Sequence, residues 1–229
     1  MNKPLFFCIT LLVSIFLIMS CAQGSPEISA FSAQIVKVQL ENSLFSEQLS
    51  LFVFIKDVDG NQDFSSINLT HNDTGLTWNI DKDVAVVRLR GNDRWTGSSS
   101  LAGPGGGPIP SGMYTLVVSD LAGNEAISLI SIVRPAFPER IPVSLIIQKD
   151  KWIIERDPEL SEFSRFFLLL LDDKNTLHYS WSVPSSTKNT IEGSMASLRS
   201  LAPKATRVQC FVENRNSTAG VLLTPELLR

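Results

Sequence analysis

The sequence has few of the side chains on which most enzyme sites depend. Its only two histidines, His71 and His178, fall in different predicted domains, so a histidine-centred hydrolase or a zinc site would need them brought together. Each is expected to be an exposed strand or turn residue. No Gly-x-Ser-x-Gly, His-Glu-x-x-His or Cys-x-x-Cys motif occurs. We therefore expect a protein that is not an enzyme and has no resident cofactor.

The sequence also lacks an excess of positive charge. Without residues 1–20, which contain Lys3 and no acid, 19 basic and 23 acidic residues remain. Nucleic-acid binding requires a basic surface, so nucleic acid is excluded as a partner, and charge-driven binding to anionic lipid is not expected. Charged residues make up 19% of the chain and hydrophobic residues 44%, which is typical of a packed globular protein.

No apolar run is long enough for a comfortable membrane-spanning helix, which needs roughly 20 residues. The longest run, residues 5–19, follows the basic start Met1-Asn2-Lys3 and is typical of a secretory signal peptide over residues 1–20. Ile18-Met19-Ser20-Cys21 resembles a relaxed lipoprotein box, in which the cysteine is acylated, for example with palmitate. The resemblance implies a membrane anchor on Cys21 and a short tether over residues 21–26. The alternative is an ordinary cleaved signal that ends at Cys21 by chance.

The three cysteines leave no pair for a disulfide in the mature chain. Cys8 leaves with the signal and Cys21 is expected to carry lipid, so stability must come from core packing. Cys210 lies in an apparent strand and is expected to be a buried structural thiol rather than a reactive one.

Short β-like segments separated by turn residues dominate the first half of the mature chain. Seven or so strands across residues 27–134 predict an immunoglobulin-like (Ig-like) antiparallel β-sandwich. The predicted strands cover residues 28–40, 49–55, 67–70, 76–80, 84–89, 113–118 and 126–133.

One stretch of this half resembles a known class of module. Residues 110–124, with Gly112, Tyr114, Asp120 and the Ala-Gly-Asn of 122–124, are similar to the last hairpin of bacterial Ig-like and fibronectin-type domains. The resemblance places Tyr114 at a tyrosine corner, where the ring packs at the core edge and the hydroxyl bonds to the backbone. Together with the lipoprotein box, the stretch resembles spirochaete (treponeme-type) lipoproteins.

A proline-rich segment separates this half from the rest. Residues 135–142 contain three prolines and predict a stiff linker. Residues 143–229 then predict a smaller β-rich domain. Within it, residues 166–171 read as a buried strand and residues 195–201 as one short helix.

Acidic and amide side chains alternate in the turn after the second predicted strand. Asp57, Asp59, Asn61 and Asp63 supply oxygen atoms of the kind that calcium prefers. In a sandwich, this turn and the turn that begins at Asp120 would lie at one pole, so their oxygens could converge on a calcium ion. The alternative is two solvated turns, rich in these residues because they tolerate turn geometry.

Residues 91–111 are predicted to form one long loop with a glycine-rich end. The glycines do not predict a phosphate cradle, because a strand rather than a helix follows them. The loop is interpreted as a connector or a ligand-binding loop, with Trp95 and its neighbours Asp93 and Arg94 as contact residues. The alternative is that the Trp95 ring packs back onto the sandwich edge.

These features favour a lipid-anchored envelope protein that acts as a non-enzymatic binding module for an unknown protein, host or envelope ligand. The outer membrane is the expected location, at its periplasmic face or the cell surface. The alternative is a structural or assembly subunit of a periplasm-facing complex that docks through apolar strands of the second domain.

Overall fold

The computed structural model describes residues 24–40, 44–58, 60, 63–160, 162–184, 186 and 188–228. Within these residues the first half contains β1 Glu27–Gln39, β2 Phe45–Lys56, β3 Phe64–His71, β4 Thr77–Asp81, β5 Val86–Arg90, β6 Asp93–Ala102, β7 Gly112–Asp120 and β8 Glu125–Ile132. The second half contains β9 Val143–Ile147, β10 Lys151–Arg156, β11 Phe163–Leu171, β12 Leu177–Val183, β13 Thr190–Ser194, α1 Met195–Leu201, β14 Arg207–Asn214, β15 Ala219–Leu222 and β16 Glu226–Leu227. The expected all-β fold with one short helix is confirmed.

The strands of the first half form two layers around a shared core. One layer has the order β1-β2-β6-β5 and the other has the order β4-β3-β7-β8. Side chains on a strand alternate between faces, so Ile67 and Leu69 of β3 and Leu116 of β7 are fully buried opposite Leu51 and Val53 of β2. Burial of these apolar side chains between the layers stabilises this half.

Tyr114 has the arrangement expected of a tyrosine corner. Its side chain is fully buried, and its hydroxyl donates a hydrogen bond to the Pro110 carbonyl oxygen at 2.6 Å. Its ring stacks on Trp78, with 6.3 Å between centroids. The tyrosine therefore closes the edge of the core and holds the segment that leads into β7.

The second half has its own core. The sheet β13-β10-β9 and helix α1 pack against β11 and β14. The predicted apolar strand 166–171 lies in β11, where Phe166, Leu168 and Leu170 are buried, so this prediction is confirmed. The predicted helix is also confirmed, and it begins where the Ser194 hydroxyl accepts a hydrogen bond from the Ala196 amide.

One sheet runs through both halves. β15 pairs in parallel with β1, which gives the order β12-β11-β14-β15-β1-β2-β6-β5, with β16 attached to β14. Beside this junction, the buried Glu213 carboxylate accepts a hydrogen bond from Gln34 at 2.8 Å and pairs with Arg165 at 3.0 Å. The predicted linker, residues 135–142, forms no strand or helix, and its Phe137 packs against both cores. The proposed domain boundaries stay a prediction.

The prediction of one long loop over residues 91–111 is wrong. Residues 91–92 form the turn between β5 and β6, residues 93–102 form β6, which pairs with both β2 and β5, and residues 103–111 are irregular, with a single 3₁₀ turn at Pro104–Gly106. The glycine and serine residues that suggested a loop occupy a central strand because backbone pairing does not need apolar side chains. Gly97 is required there, since a Cβ atom at this position would lie 1.9 Å from the Leu51 carbonyl oxygen.

Candidate functional site

The structure brings three carboxylates together at one pole of the first half. Asp57 follows β2, Asp63 precedes β3, and Asp120 ends β7. One carboxylate oxygen from each lies within 4.8 Å of the others. We call this group the acidic recess. Asp59 and Asn61, which were predicted to contribute to the same site, lie outside the described residues.

Strand pairing explains why these distant carboxylates meet. β3 runs antiparallel to β7, so Phe64 is paired with Asp120, and the Leu121 amide donates to the Asp63 carbonyl oxygen at 2.6 Å. Burial of Asp120 disfavours its charged form, but hydrogen bonds from the Asn124 side chain and amide, both at 2.8 Å, outweigh burial and lower its pKa. The Asp120 carboxyl is therefore ionised at neutral pH.

The recess has a lining of mixed charge. Arg94 and the buried Thr96 of β6 lie on one side, and Pro26, at the start of the described chain, lies on another. Carboxylate oxygens from separate segments are the ligands that calcium uses in proteins, whereas Arg94 could balance part of the same negative charge without an ion. Calcium binding here stays a prediction.

The three residues predicted for a binding loop lie in β6 instead. Asp93 and Arg94 are exposed, and the Trp95 ring stacks on Phe54, with 5.8 Å between centroids and 27° between planes. The ring therefore packs back onto the sandwich, as in the stated alternative, but on its outer face and not at its edge. Arg94 lines the acidic recess, whereas Trp95 lies on the opposite face of β6, and ligand contact by these residues stays a prediction.

The same outer face carries a pair of arginines that the sequence analysis did not single out. Arg88 and Arg90 of β5 lie over the rings of Phe52 and Trp95, with 3.9 and 4.5 Å from guanidinium carbon to ring centroid. We call these two residues the arginine pair. The sequence contains one signal for this arrangement, the spacing of the two arginines. Residues two apart in a strand share a face of the sheet, and the same spacing places Phe52 and Phe54 on one face of β2.

The histidines are in different environments. His71 is 2% exposed, so the expectation of an exposed residue is wrong for it; its ring nitrogens contact the Thr74 hydroxyl at 2.8 Å and the Ser111 carbonyl oxygen at 3.2 Å. His178 is exposed and pairs with Asp172 at 3.3 Å. The fold thus keeps the two imidazoles on separate elements, in β3 and β12.

Cys210 is fully buried, as expected of a structural thiol, and burial raises its pKa to about 12. Cys21, the predicted lipidation site, lies outside the described residues. In the described part of the chain, no helix is both long enough and apolar enough to cross a membrane.

Exposed apolar side chains gather on the outer face of β7 and β8. Ile127, Leu129 and Met113 are 66%, 65% and 44% exposed, and Val133 continues the row at 74%. The docking surface expected on apolar strands of the second half stays a prediction; in β11, which lies between β12 and β14, Phe166, Leu168 and Leu170 are buried. The exposed row on β7 and β8 is a second candidate apolar surface.

Comparison with known proteins shows a weak structural similarity and no family match. No family model matches the chain, and no curated protein matches it. Among solved structures, the chain is similar to Tp47, the 47-kilodalton lipoprotein of Treponema pallidum, at 10% sequence identity and a TM-score of 0.43. The match covers 87% of this chain and 50% of that chain, so this chain spans about half the length of that protein. A likeness at this level carries no argument about function.

Proposed function

We propose that the chain is an exported lipoprotein, anchored in the bacterial envelope through acyl chains on Cys21, and that it acts as a non-enzymatic binding module. The basic start, the apolar segment and the small residue before Cys21 support export and acylation. Several acyl chains, each methylene contributing about 0.8 kcal/mol, hold a protein to a membrane without a spanning helix.

An Ig-like scaffold for this module is supported by two features. The layers β1-β2-β6-β5 and β4-β3-β7-β8 face each other across one core, and Tyr114 forms the corner bond to Pro110. Sandwiches of this kind commonly present ligand-binding loops at their poles.

The observation that carries the proposal is the position of the acidic recess. Three separate segments supply its carboxylates, and Pro26 in its lining is the last residue of the predicted tether. An extended residue spans at most about 3.5 Å, so residues 21–26 place the recess within roughly 20 Å of the lipid. A recess with both carboxylates and Arg94 at this position suits a charged ligand near the membrane surface.

Fractionation of cells that produce the wild-type chain or Cys21→Ala tests the anchor. We expect the wild type in the detergent phase and the variant in the soluble fraction. Partitioning that does not change with the substitution rejects the anchor. Protease shaving of intact cells, with a periplasmic protein as control, then separates the cell surface from the periplasmic face of the outer membrane.

A structural or assembly subunit is the second candidate, and the exposed apolar row on β7 and β8 favours it. Contiguous apolar surface of this kind marks protein contacts in soluble domains. The test is the size of the detergent-extracted protein with and without Leu129→Glu. A shift of the variant to a smaller size supports assembly through this face, and an unchanged size rejects it.

A further inference from the structure

The arginine pair is held flat against the outer face of the sandwich. Arg88 and Arg90 are two residues apart in the edge strand β5, so both project from the same face of the sheet. In addition to its contact with Trp95, the Arg90 guanidinium donates to the Ser32 hydroxyl of β1 at 3.3 Å. Both side chains therefore cross the sheet instead of extending freely into water.

The local sequence leaves room for this arrangement. Gly97 of β6 is paired with Phe52 of β2 and has no side chain to separate β5 from β2. The Arg88 side chain passes over this gap and covers the Phe52 ring, which is 1% exposed. A guanidinium that stacks through its flat face keeps its N–H groups directed outward in its own plane, where they can donate to a ligand.

Neither arginine of the pair forms a close ion pair with a described carboxylate. Among the described residues, no carboxylate lies within 4.0 Å of either guanidinium, although Asp93 is paired with Arg90 in the strand register. Burial against the sheet lowers the pKa of Arg88, and the positive charge of Arg90 lowers it further. Two neighbouring cations therefore repel each other, and an anion placed between them would relieve that repulsion.

We propose that Arg88 and Arg90 form a binding site for a phosphate group. A carboxylate has two oxygens and is satisfied by one guanidinium, whereas a phosphate has further oxygens and can accept hydrogen bonds from both. Stacked arginines are suited to such planar, bidentate contacts. Each guanidinium would donate to a different phosphate oxygen.

Two sources could supply this phosphate, a phospholipid headgroup or a soluble phosphate compound. Lys56, at the end of β2, lies over the Phe54 ring and extends the row of cations toward the pole that contains Pro26. That pole is the membrane-proximal one if Cys21 is lipidated, so the headgroup source rests on the proposed function. The phosphate site itself does not.

The test uses the chain from position 21 onward with Cys21→Ala, so that no lipid anchor contributes. One arm measures binding of inorganic phosphate by calorimetry, with acetate as the carboxylate control. The other measures cosedimentation with phosphatidylglycerol vesicles and with zwitterionic phosphatidylcholine vesicles.

The variant is the double substitution Arg88→Gln and Arg90→Gln, which retains much of the apolar stem over Phe52. The matched control is Lys149→Gln with Lys204→Gln, two exposed lysines whose loss changes the net charge equally.

We expect the arginine variant to lose about tenfold affinity or more in at least one arm, while the lysine control keeps it. Loss in the vesicle arm alone identifies the headgroup source, and loss with inorganic phosphate identifies the phosphate group itself. The proposal is overturned if the unsubstituted chain binds in neither arm, if acetate binds as tightly as phosphate, or if the arginine variant binds as the control does. The variant Arg88→Lys with Arg90→Lys keeps the positive charge but has no planar guanidinium groups. Full affinity in that variant would therefore also overturn the proposal that each guanidinium donates to a different phosphate oxygen. Because the chain carries no lipid, failure here is distinct from failure of the anchor.

Discussion

The buried charge of Glu47 shows how one side chain can tie distant segments together. Glu47 of β2 is 5% exposed, and it accepts hydrogen bonds from the Arg134 guanidinium and from the Ile109 amide at 3.1 Å. Burial raises the pKa of Glu47, but these bonds and the Arg134 charge outweigh burial and lower it. The pair therefore fastens the segments on either side of β7 and β8 to β2.

Removal of Arg134 should destabilise the fold in a pH-dependent way. Arg134→Ala leaves the buried carboxylate with one amide donor, and we expect a loss of about 2 kcal/mol at pH 7, at the low end for a buried pair because the Arg134 side chain is 36% exposed. Because the pKa of Glu47 is lower in the folded state than in the unfolded state, where it is near 4.5, the ionised carboxylate stabilises the fold above that pH. This stabilisation is lost as the pH falls through the folded-state pKa of Glu47. Urea denaturation at pH 7 and pH 3 should show the deficit shrink at acid pH. Arg140→Ala, which removes ion pairs to Asp157 and Glu159 made by a side chain that is 66% exposed, is the control; equal deficits for both variants would contradict the expectation.

The Cys210 thiol should be inert in the folded chain. Burial raises its pKa to about 12, so the thiolate that reacts with disulfide reagents is scarce at pH 8 and also inaccessible. In the Cys21→Ala chain, a chromogenic disulfide reagent should label Cys210 only after urea is added. Rapid labelling without urea would show that β14 opens readily.

Calcium should raise the melting temperature if the acidic recess holds an ion. A ligand that binds only the folded state stabilises it, and millimolar calcium is the natural test for three clustered carboxylates. The increase should vanish in Asp57→Asn and persist in Asp173→Asn, an exposed aspartate elsewhere. A melting temperature that responds to neither calcium nor a chelator rejects the site.

Some of these residues could be recognised from the sequence and others could not. Tyr114 was recognisable because its role depends on a short local motif. His71 was not, because its burial depends on contact with residues 111 and 114, which are remote in sequence. The arginine pair could not be recognised from net charge, because a net charge does not show where on the surface the charged residues lie. Arg88 and Arg90 form a local positive surface because they lie on one face of β5.

At the scale of elements, β6 shows where local sequence misleads. Thr96, Gly97 and Ser98 have the composition of a loop, yet they form the strand between β2 and β5. The missing information was the close approach of β2, which admits only glycine at position 97. By contrast, β11 and α1 were predictable, since an apolar run and a proline that ends a helix, here Pro203, are local signals.

Gly97→Ala should therefore damage the fold far more than an ordinary glycine substitution. The added Cβ would meet the Leu51 backbone, so β2 and β6 must separate, and we expect a loss of at least about 3 kcal/mol in urea denaturation. Gly75→Ala is the control: its φ of +70° strains alanine, but no atom lies within 4 Å of the added Cβ, so about 1 kcal/mol is expected. Similar losses for the two variants would mean that β6 can move away from β2.

At the scale of the whole molecule, the parallel pairing of β1 with β15 joins what the sequence presents as two domains. Ile35 is paired with Ala219 and Val36 with Gly220, in each case 184 residues apart along the chain. No local pattern encodes a contact at that separation, whereas the proline-rich segment between the halves is visible at once. The sequence therefore supports a division at residues 135–142 and gives no sign of the shared sheet that crosses it.

The two halves should consequently remain together after the chain is cut between them. We expect a specific protease sequence inserted between Arg140 and Ile141 to be cleaved because residues 138–140 form no strand or helix. The two fragments should still elute as one species in size-exclusion chromatography, held by β1–β15 pairing and by the hydrogen bond from Gln34 to Glu213. In Gly220→Val, the added side chain would collide with the Phe211 ring, 2.5 Å from the Cβ position, and the fragments should separate or associate more weakly. Separate elution of the cleaved fragments without this substitution would show that the shared sheet contributes little to holding the halves together.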